Sequence, residues 1–460
     1  MTELQHWLQQ WPATGQLVVA RDVYSVPALL QTARQLARDW RRSSGVQPGQ
    51  RLLLSAQPDA DFVVQLLACW YAGALPLLLD PWTARQLQGQ SVLPWQARGL
   101  LSPAGLQLSA TAIQPGQTPD AALVLFTSGS SGEPKGVLLG AQRLQAHLQA
   151  LAAEMALDSP APTGIVLPLN HSFALITQLL QGLSTGSPIH LLPTLPGERL
   201  AYLAAHAIER LAGVSTHFRW LFHSAASGMT ELRTLRHLTV AGAALDPALH
   251  QQILQRCPAA TLWIGYGLTE AGPRVSVLPH QDPAAAAGSA GRPLRGIQVR
   301  LDAQGVLELQ SPYTMLGYLD SPQQTAAVLR EGWLQTGDLA RIGSGPDDIG
   351  CLYILGRADT IFEVGGEKIV PQAIEQLLLE LPGVRQAAVL TEPHPLLGQQ
   401  LVALIVGEAT QKALQRLVRS TLPPALRPQV WYTAAELPLT ANGKLRRAAL
   451  QNWPRRPLDS

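Results

Sequence analysis

The N-terminal half of the chain alternates apolar runs of strand length with amphipathic segments of helix length, and this rhythm constrains the fold more than any other feature. The runs RLLLSA, GALPLLL, ALVLFT, GIVLPL and PIHLLP are almost continuously apolar, as strands covered on both faces are. They alternate with segments such as VPALLQTARQLARDWRRS, which precedes the first run, and whose apolar residues recur at helical spacing. The alternation predicts stacked α/β layers with largely buried sheets. From IQVRLDAQGVLELQ to CLYILGRAD the strands shorten and are divided by turn signals, Asp302-Ala-Gln-Gly305 and Gly343-Ser-Gly-Pro346, which predicts a β-rich subdomain. After Arg357 the rhythm resets to a glycine turn, a helix from about Pro371 to Leu381, the strands QAAVLTE and QLVALIVG, and another helix. A small α+β lid is expected there, so the anticipated division is 1–358 and 359–460.

At 460 residues the chain exceeds the size at which one hydrophobic core stops growing. Its 47% hydrophobic and 14% charged residues suit a globular protein. A net charge of +2 is too small for a broad basic field, which argues against nucleic acid or an anionic membrane as partner. The stretch from Phe62 to Leu79 carries no charge, yet Gln65, Gly73 and Pro76 break it. A buried helix to about Tyr71 and a buried strand LPLLL are expected instead of a membrane span. Cys69, Cys257 and Cys351 are far apart and in no metal-ligand spacing, which fits a reducing compartment. The start MTELQHWLQQWP lacks the basic-then-apolar succession of a secretion signal, so a cytoplasmic location is expected.

Lysine occurs only at positions 135, 368, 412 and 444 among 34 basic residues. A chain that builds its surface from arginine and still keeps a lysine in a glycine-rich motif has reason to want a compact ammonium there. The sharpest such motif is Phe126-Thr-Ser-Gly-Ser-Ser-Gly-Glu-Pro-Lys-Gly-Val137, directly after an apolar strand. Its small residues Thr127, Ser128, Gly129, Ser130, Ser131 and Gly132 let backbone N–H groups approach an anion, and Lys135 adds a point charge. Phosphate is the natural ligand. The loop is not a Walker A motif, since Gly-Lys-Ser/Thr is absent.

With four further motifs the chain resembles the ANL superfamily, which comprises acyl- and aryl-CoA synthetases, adenylation domains of peptide synthetases, and luciferases. The stretch 127–136 resembles its phosphate-binding motif and Gly265-Tyr-Gly-Leu-Thr-Glu-Ala-Gly272 its second ATP motif. Thr336-Gly-Asp338, Gly356-Arg-Ala-Asp359 with Val364-Gly-Gly-Glu-Lys368, and Leu437-Pro-Leu-Thr-Ala-Asn-Gly-Lys444 follow in the family's order. The resemblance implies that Tyr266, beside Gly267, stacks on adenine, that Thr269 contacts phosphate, and that Glu270 holds Mg²⁺. It implies that Asp338 accepts the ribose hydroxyls, a task suited to two carboxylate oxygens, with Arg357 as a cationic donor nearby.

Lys444 is the expected catalytic cation, since a carboxylate attacking an α-phosphate brings two anions together. The resemblance also implies that the small domain rotates about Asp359 and withdraws Lys444, so that Gly365 and Gly366 line a channel for a phosphopantetheine thiol, on CoA or on a carrier protein arriving in trans. Lys368 is left between phosphate binding in that second state and a surface position. His171, in Leu167-Pro-Leu-Asn-His-Ser-Phe-Ala174, resembles the motif bordering the acyl pocket. That motif here lacks the aspartate with which amino-acid-activating members hold an ammonium, so an aryl or fatty acid is expected. Phe173 either shapes that pocket or packs as a core aromatic.

Three departures touch loop rigidity. Ala241-Gly-Ala-Ala-Leu245 lacks a Gly and a Pro of the adenine-side turn, around the expected contacts Gly242 and Ala243; Ser215 replaces a frequent Pro; and Thr360 replaces a second aspartate. The expected activity is ATP-dependent activation of a carboxylic acid to acyl-AMP followed by thioester formation. A luciferase-like or amide-forming outcome, and a silent nucleotide-binding protein, remain open from these motifs.

Overall fold

The structure is a computed structural model that describes residues 2–110, 120–128, 134–193, 196–223, 232–241, 245, 247–364, 367–394, 398–439 and 445–458. Two sheets dominate the N-terminal part. One has nine described strands, with a parallel centre running from Thr261–Tyr266 through His237–Ala241, Arg210–Gly213, Thr163–Ile165 and Pro188–Leu191 to Gln16–Val19. The other has seven, centred on the parallel set Ala121–Ser128, Leu75–Leu79, Arg51–Ser55 and Gly99–Ser102. A single apolar cluster contains Leu17 and Ile189 of the first sheet, Leu54 and Leu125 of the second, and side chains from the helices Val26–Ser43, Ala60–Ala72 and Ala141–Met155. These are the stacked layers the apolar rhythm predicts.

Local signals set the helix ends. Ser25 caps Val26–Ser43 by accepting from the Ala28 amide, a proline follows in the first turn, and Leu29, Leu30, Ala33, Ala37 and Trp40 form its buried stripe. The charge-free stretch resolves into helix Ala60–Ala72, capped by Asp59 and ended by Gly73 at φ +70°, and strand Leu75–Leu79. No described helix is long and apolar enough to cross a membrane. The run GIVLPL is a strand only over Thr163–Ile165; Pro168 cannot donate to a ladder, and its carbonyl instead accepts from the His171 amide in a turn.

The β-rich region forms a separate sheet in which Trp333–Ile342 pairs with Val306–Gln310 and Leu352–Arg357. The small C-terminal domain is built on Val384–His394, Gly398–Gly407, Val430–Thr433 and Arg456–Pro457. Alternation along its central strand is visible side chain by side chain. Leu401, Ala403 and Ile405 pack with Ile374, Leu378, Leu414 and Val418 of the two helices, while Val402, Leu404 and Val406 pack with Leu437 and Leu450 on the opposite face. The unbroken apolar run LVALIV reflects these two covers.

Candidate active site

The phosphate-type loop hangs from an antiparallel hairpin in which Thr127 pairs with Lys135 and Ser128 with Pro134. Gly129, Ser130, Ser131 and Gly132 lie outside the described residues. The hairpin continues to Gly317–Tyr318, whose Tyr318 pairs with Val137, and this short strand carries the residue that sequence reasoning missed. The Lys135 ammonium lies 5.3 Å from the centre of the Tyr318 ring, and the Tyr318 hydroxyl donates to Glu270 Oε1 at 3.1 Å. Burial, then the charge of Glu270 and the hydrogen bond to it, push the Tyr318 phenol above its usual range. It is therefore a neutral donor to a carboxylate. Lys135 and Glu270, 135 residues apart by number, thus meet on one side chain, the first at the Tyr318 ring and the second at its hydroxyl.

Glu270 and Thr269 sit in the single helical turn Thr269–Ala271 that follows strand Thr261–Tyr266. The chain reverses tightly there: the Val275 amide donates to the Tyr266 carbonyl at 2.8 Å, and a Cβ on Gly267 would stand 2.1 Å from the Pro273 carbonyl oxygen. Only glycine fits. On the other side, Ser172 Oγ lies 3.0 Å from Thr269 Oγ1, which brings the His171 segment to the same turn. His171 itself is half-buried at the start of helix Ser172–Ala174. Phe173 packs on the main core, as one of its two expected roles requires, and also lines a cavity.

Tyr266 reaches the β-rich sheet. Its hydroxyl donates to Asp338 Oδ2 at 2.5 Å, and burial, then the Asp338 charge and this bond, push the phenol well above its usual range. Asp338 and Arg357 are cross-strand partners. Arg357 Nη1 donates to the Thr336 carbonyl at 3.0 Å and to Asp338 Oδ1 at 3.4 Å, while Nε and Nη2 each reach Asp359 at 3.2 Å. Gly337, at φ +75°, makes room for this guanidinium, since a Cβ there would lie 3.0 Å from Nη2. The chain thus joins Tyr266, Asp338, Arg357 and Asp359 into one polar string.

Other expected residues are placed only by their neighbours. Ala241 pairs with Gly265, next to Tyr266; Gly242 and Ala243 themselves lie outside the described residues. Gly365 and Gly366 are outside them too; Lys368 is paired along the backbone with Glu363. Lys444 also lies outside; Leu439 and Leu445, which flank its segment, form an antiparallel bridge. Among the described residues no cluster of three or more His, Cys, Asp or Glu is arranged as a metal site.

Residues 91–319 match the family profile described as AMP-binding enzyme, and 373–444 match the AMP-binding enzyme C-terminal domain. A feruloyl-CoA synthase of Amycolatopsis sp is 30% identical over 455 residues, covering 90% of this chain and 91% of that protein. A long-chain-fatty-acid–CoA ligase of Bacillus subtilis is 30% identical over 353 residues, 72% of this chain and 61% of its own length. Among solved structures, the o-succinylbenzoate coenzyme A synthetase of Bacillus subtilis, in complex with ATP and magnesium ion, superposes with a TM-score of 0.81 at 21% identity, covering 97% of this chain and 98% of that one. The chain therefore belongs to the AMP-binding enzyme family, the ANL superfamily of adenylate-forming enzymes, and within it to the AMP-forming acyl- and aryl-CoA synthetases.

Proposed function

We propose that the protein uses ATP to activate an aryl or fatty carboxylic acid as acyl-AMP and then transfers the acyl group to the phosphopantetheine thiol of CoA, with a carrier protein as the other acceptor of the same chemistry. The observation that carries this is the convergence on one turn of an ammonium (Lys135), a carboxylate (Glu270) and two hydroxyls (Thr269, Ser172), beside the Tyr266–Asp338 pair. A triphosphate needs cationic and hydroxyl donors, and a ribose needs acceptors. The two ends of the site supply these separately.

In the first half-reaction a carboxylate oxygen of the acid forms a bond to the α-phosphorus, and the bond to the bridging oxygen breaks with its electron pair leaving on pyrophosphate. Lys135 and the amides of the 127–132 loop hold the phosphates, and Asp338 with Arg357 holds the ribose. Tyr266, with the turn at Gly242 and Ala243, faces adenine. Glu270 has no cationic partner among the described residues, and it stands beside the hydroxyls of Thr269 and Tyr318. Glu270 would hold Mg²⁺ through its carboxylate, a hard-oxygen donor that suits the ion, and the ion would supply neutralisation of phosphate charge. Lys444 opposes the negative charge gathered as the two anions meet.

In the second half-reaction the thiol sulfur attacks the acyl carbon, AMP leaves with the electrons of the broken C–O bond, and the thiol proton passes to solvent. The domain division falls at 358/359 with Asp359 as hinge, where Arg357 already grips it. Rotation there would exchange Lys444 for Gly365, Gly366 and Lys368 at the reacting centre. A cytoplasmic setting is supported by three buried free cysteines.

Pyrophosphate release with ATP and Mg²⁺ across aryl, cinnamic, fatty and amino acids tests the reading, with thioester detection after CoA is added. At least one acid class should drive release, and Lys444→Ala should lower it by about a hundredfold or more. Failure of every acid in a protein that still binds ATP would leave only nucleotide binding.

A further inference from the structure

Beneath the segment that follows His171 lies a small cavity lined by Phe173, Gln178, Gln181, Arg210, His237 and Arg274 among others. Two of its lining residues are tied to the reaction site through the chain: Phe173 follows Ser172, whose hydroxyl meets Thr269, and Arg274 lies in the reversal closed by the hydrogen bond from the Val275 amide to the Tyr266 carbonyl. The wall is also unusually wound: Leu175–Leu180 is a π-helical turn, in which Thr177 Oγ1 donates to the Phe173 carbonyl at 2.6 Å. Such turns recur at functional sites because the extra residue redirects side chains.

Arg274 is 2% exposed, lies 4.0 Å over the Phe173 ring, and has an Nη2 with no hydrogen-bond partner. No ion pair joins it to any described residue, and no Asp or Glu is among the cavity's lining residues. Burial pulls its pKa down to about 9, which leaves it charged at neutral pH. The second arginine there, Arg210, is tied to the Ser159 carbonyl at 2.8 Å. His237 is neutral, held to about 3 chiefly by burial, and its Nε2 is unpaired, as are the amide oxygens of Gln178 and Gln181. An unpaired buried guanidinium costs several kcal/mol, and an apolar acyl tail filling this cavity would leave that cost in place.

We propose that Arg274 binds a second carboxylate at the far end of the substrate, so that the acid activated is a dicarboxylic acid on a short or aryl frame and not a fatty acid with an apolar tail. This rests on the ligase reading and narrows it. The free fork of Arg274 suits two carboxylate oxygens, and the terminal amide of Gln181 can rotate to turn an N–H group toward the same anion, while the Gln178 amide nitrogen already donates to the Phe173 carbonyl. The positive charge stays inside the cavity and the reacting carboxylate stays at the Thr269 end, so one molecule is read at both ends. Neutralising the distal group would remove the recognition without touching the reacting one.

The test compares kcat/KM for pyrophosphate release with matched acids: an aryl or short-chain dicarboxylic acid against its half methyl ester, whose free carboxyl is the reacting one. The wild-type enzyme should prefer the diacid by about tenfold or more, Arg274→Met should erase the preference, and Arg274→Lys should retain part of it. Equal use of diacid and half ester by the wild-type enzyme overturns the assignment while the ligase reading stands; so does an Arg274→Met enzyme that loses both substrates in equal proportion. If Arg274→Met does not fold, the wild-type ratio alone decides. Absence of pyrophosphate with every acid, simple monoacids included, overturns both.

Discussion

Tyr266 and Asp338 are 72 positions apart and share a 2.5 Å hydrogen bond in which the phenol donates to Oδ2. That bond ties the end of a central parallel strand to the β-rich sheet, and it leaves Asp338 held by Arg357 on its other oxygen. Asp338→Ala should raise the KM for ATP about ten- to a hundredfold, the worth of charge-assisted bonds to a nucleotide, with a smaller change in kcat. Tyr266→Phe should lower the thermal midpoint by a few degrees, for a loss of about 1–2 kcal/mol. An unchanged KM in Asp338→Ala would refute the ribose assignment.

Tyr318→Phe removes the one donor to the Glu270 carboxylate among the described residues while keeping the ring under Lys135. The expected loss in kcat/KM for pyrophosphate release is about three- to tenfold, without a change in fold as judged by circular dichroism. A variant as active as the parent would mean that Glu270 is positioned by its own turn alone.

Gly267→Ala asks for a Cβ where the Pro273 carbonyl oxygen would be 2.1 Å away. Backbone must shift, and the turn carrying Thr269 and Glu270 shifts with it. Activity should fall by about a hundredfold or more even where the protein stays folded. Retention of more than a tenth of parental activity would show that the turn can relax without moving the two side chains.

Acid should weaken the fold before the carboxylates titrate. His147 is buried, its Nε2 is 3.0 Å from the Arg274 carbonyl, and burial chiefly holds its pKa to about 4, with His237 depressed to about 3 for the same reason. Both are lower than in an unfolded chain, which takes up protons first as pH falls below about 6.5. Stability is therefore level above that pH and declines below it by about 1.4 kcal/mol per pH unit for each such histidine, down to the folded pKa. Thermal midpoints between pH 7 and 5 check this, and His147→Gln, which keeps a donor for the Arg274 carbonyl, should flatten part of the slope.

Much of this was legible in the sequence because it is local. Helix Val26–Ser43 follows from its stripe, its serine and its proline, Lys135 stands out in its glycine-rich loop, and the family resemblance of the motifs singles out Tyr266, Glu270, Asp338 and Arg357. What escaped was set by packing across the chain. Tyr318 carries no periodic or motif signal; it matters because Gly317–Tyr318 extends the hairpin of Lys135 and so meets Glu270, 48 residues earlier. Arg274 reads as one more arginine in an arginine-rich chain until burial strips it of partners. Ser172 becomes visible only through Thr269, 97 residues away.

The double-faced strand Gly398–Gly407 has a thermodynamic consequence. Since neighbouring residues such as Leu401 and Val402 belong to opposite apolar clusters, neither layer can be peeled away without wetting the strand that holds the other. The C-terminal domain should exchange its amide hydrogens as one unit, with both helices and the strand sharing a single opening free energy; partial loosening has no stable place to stop.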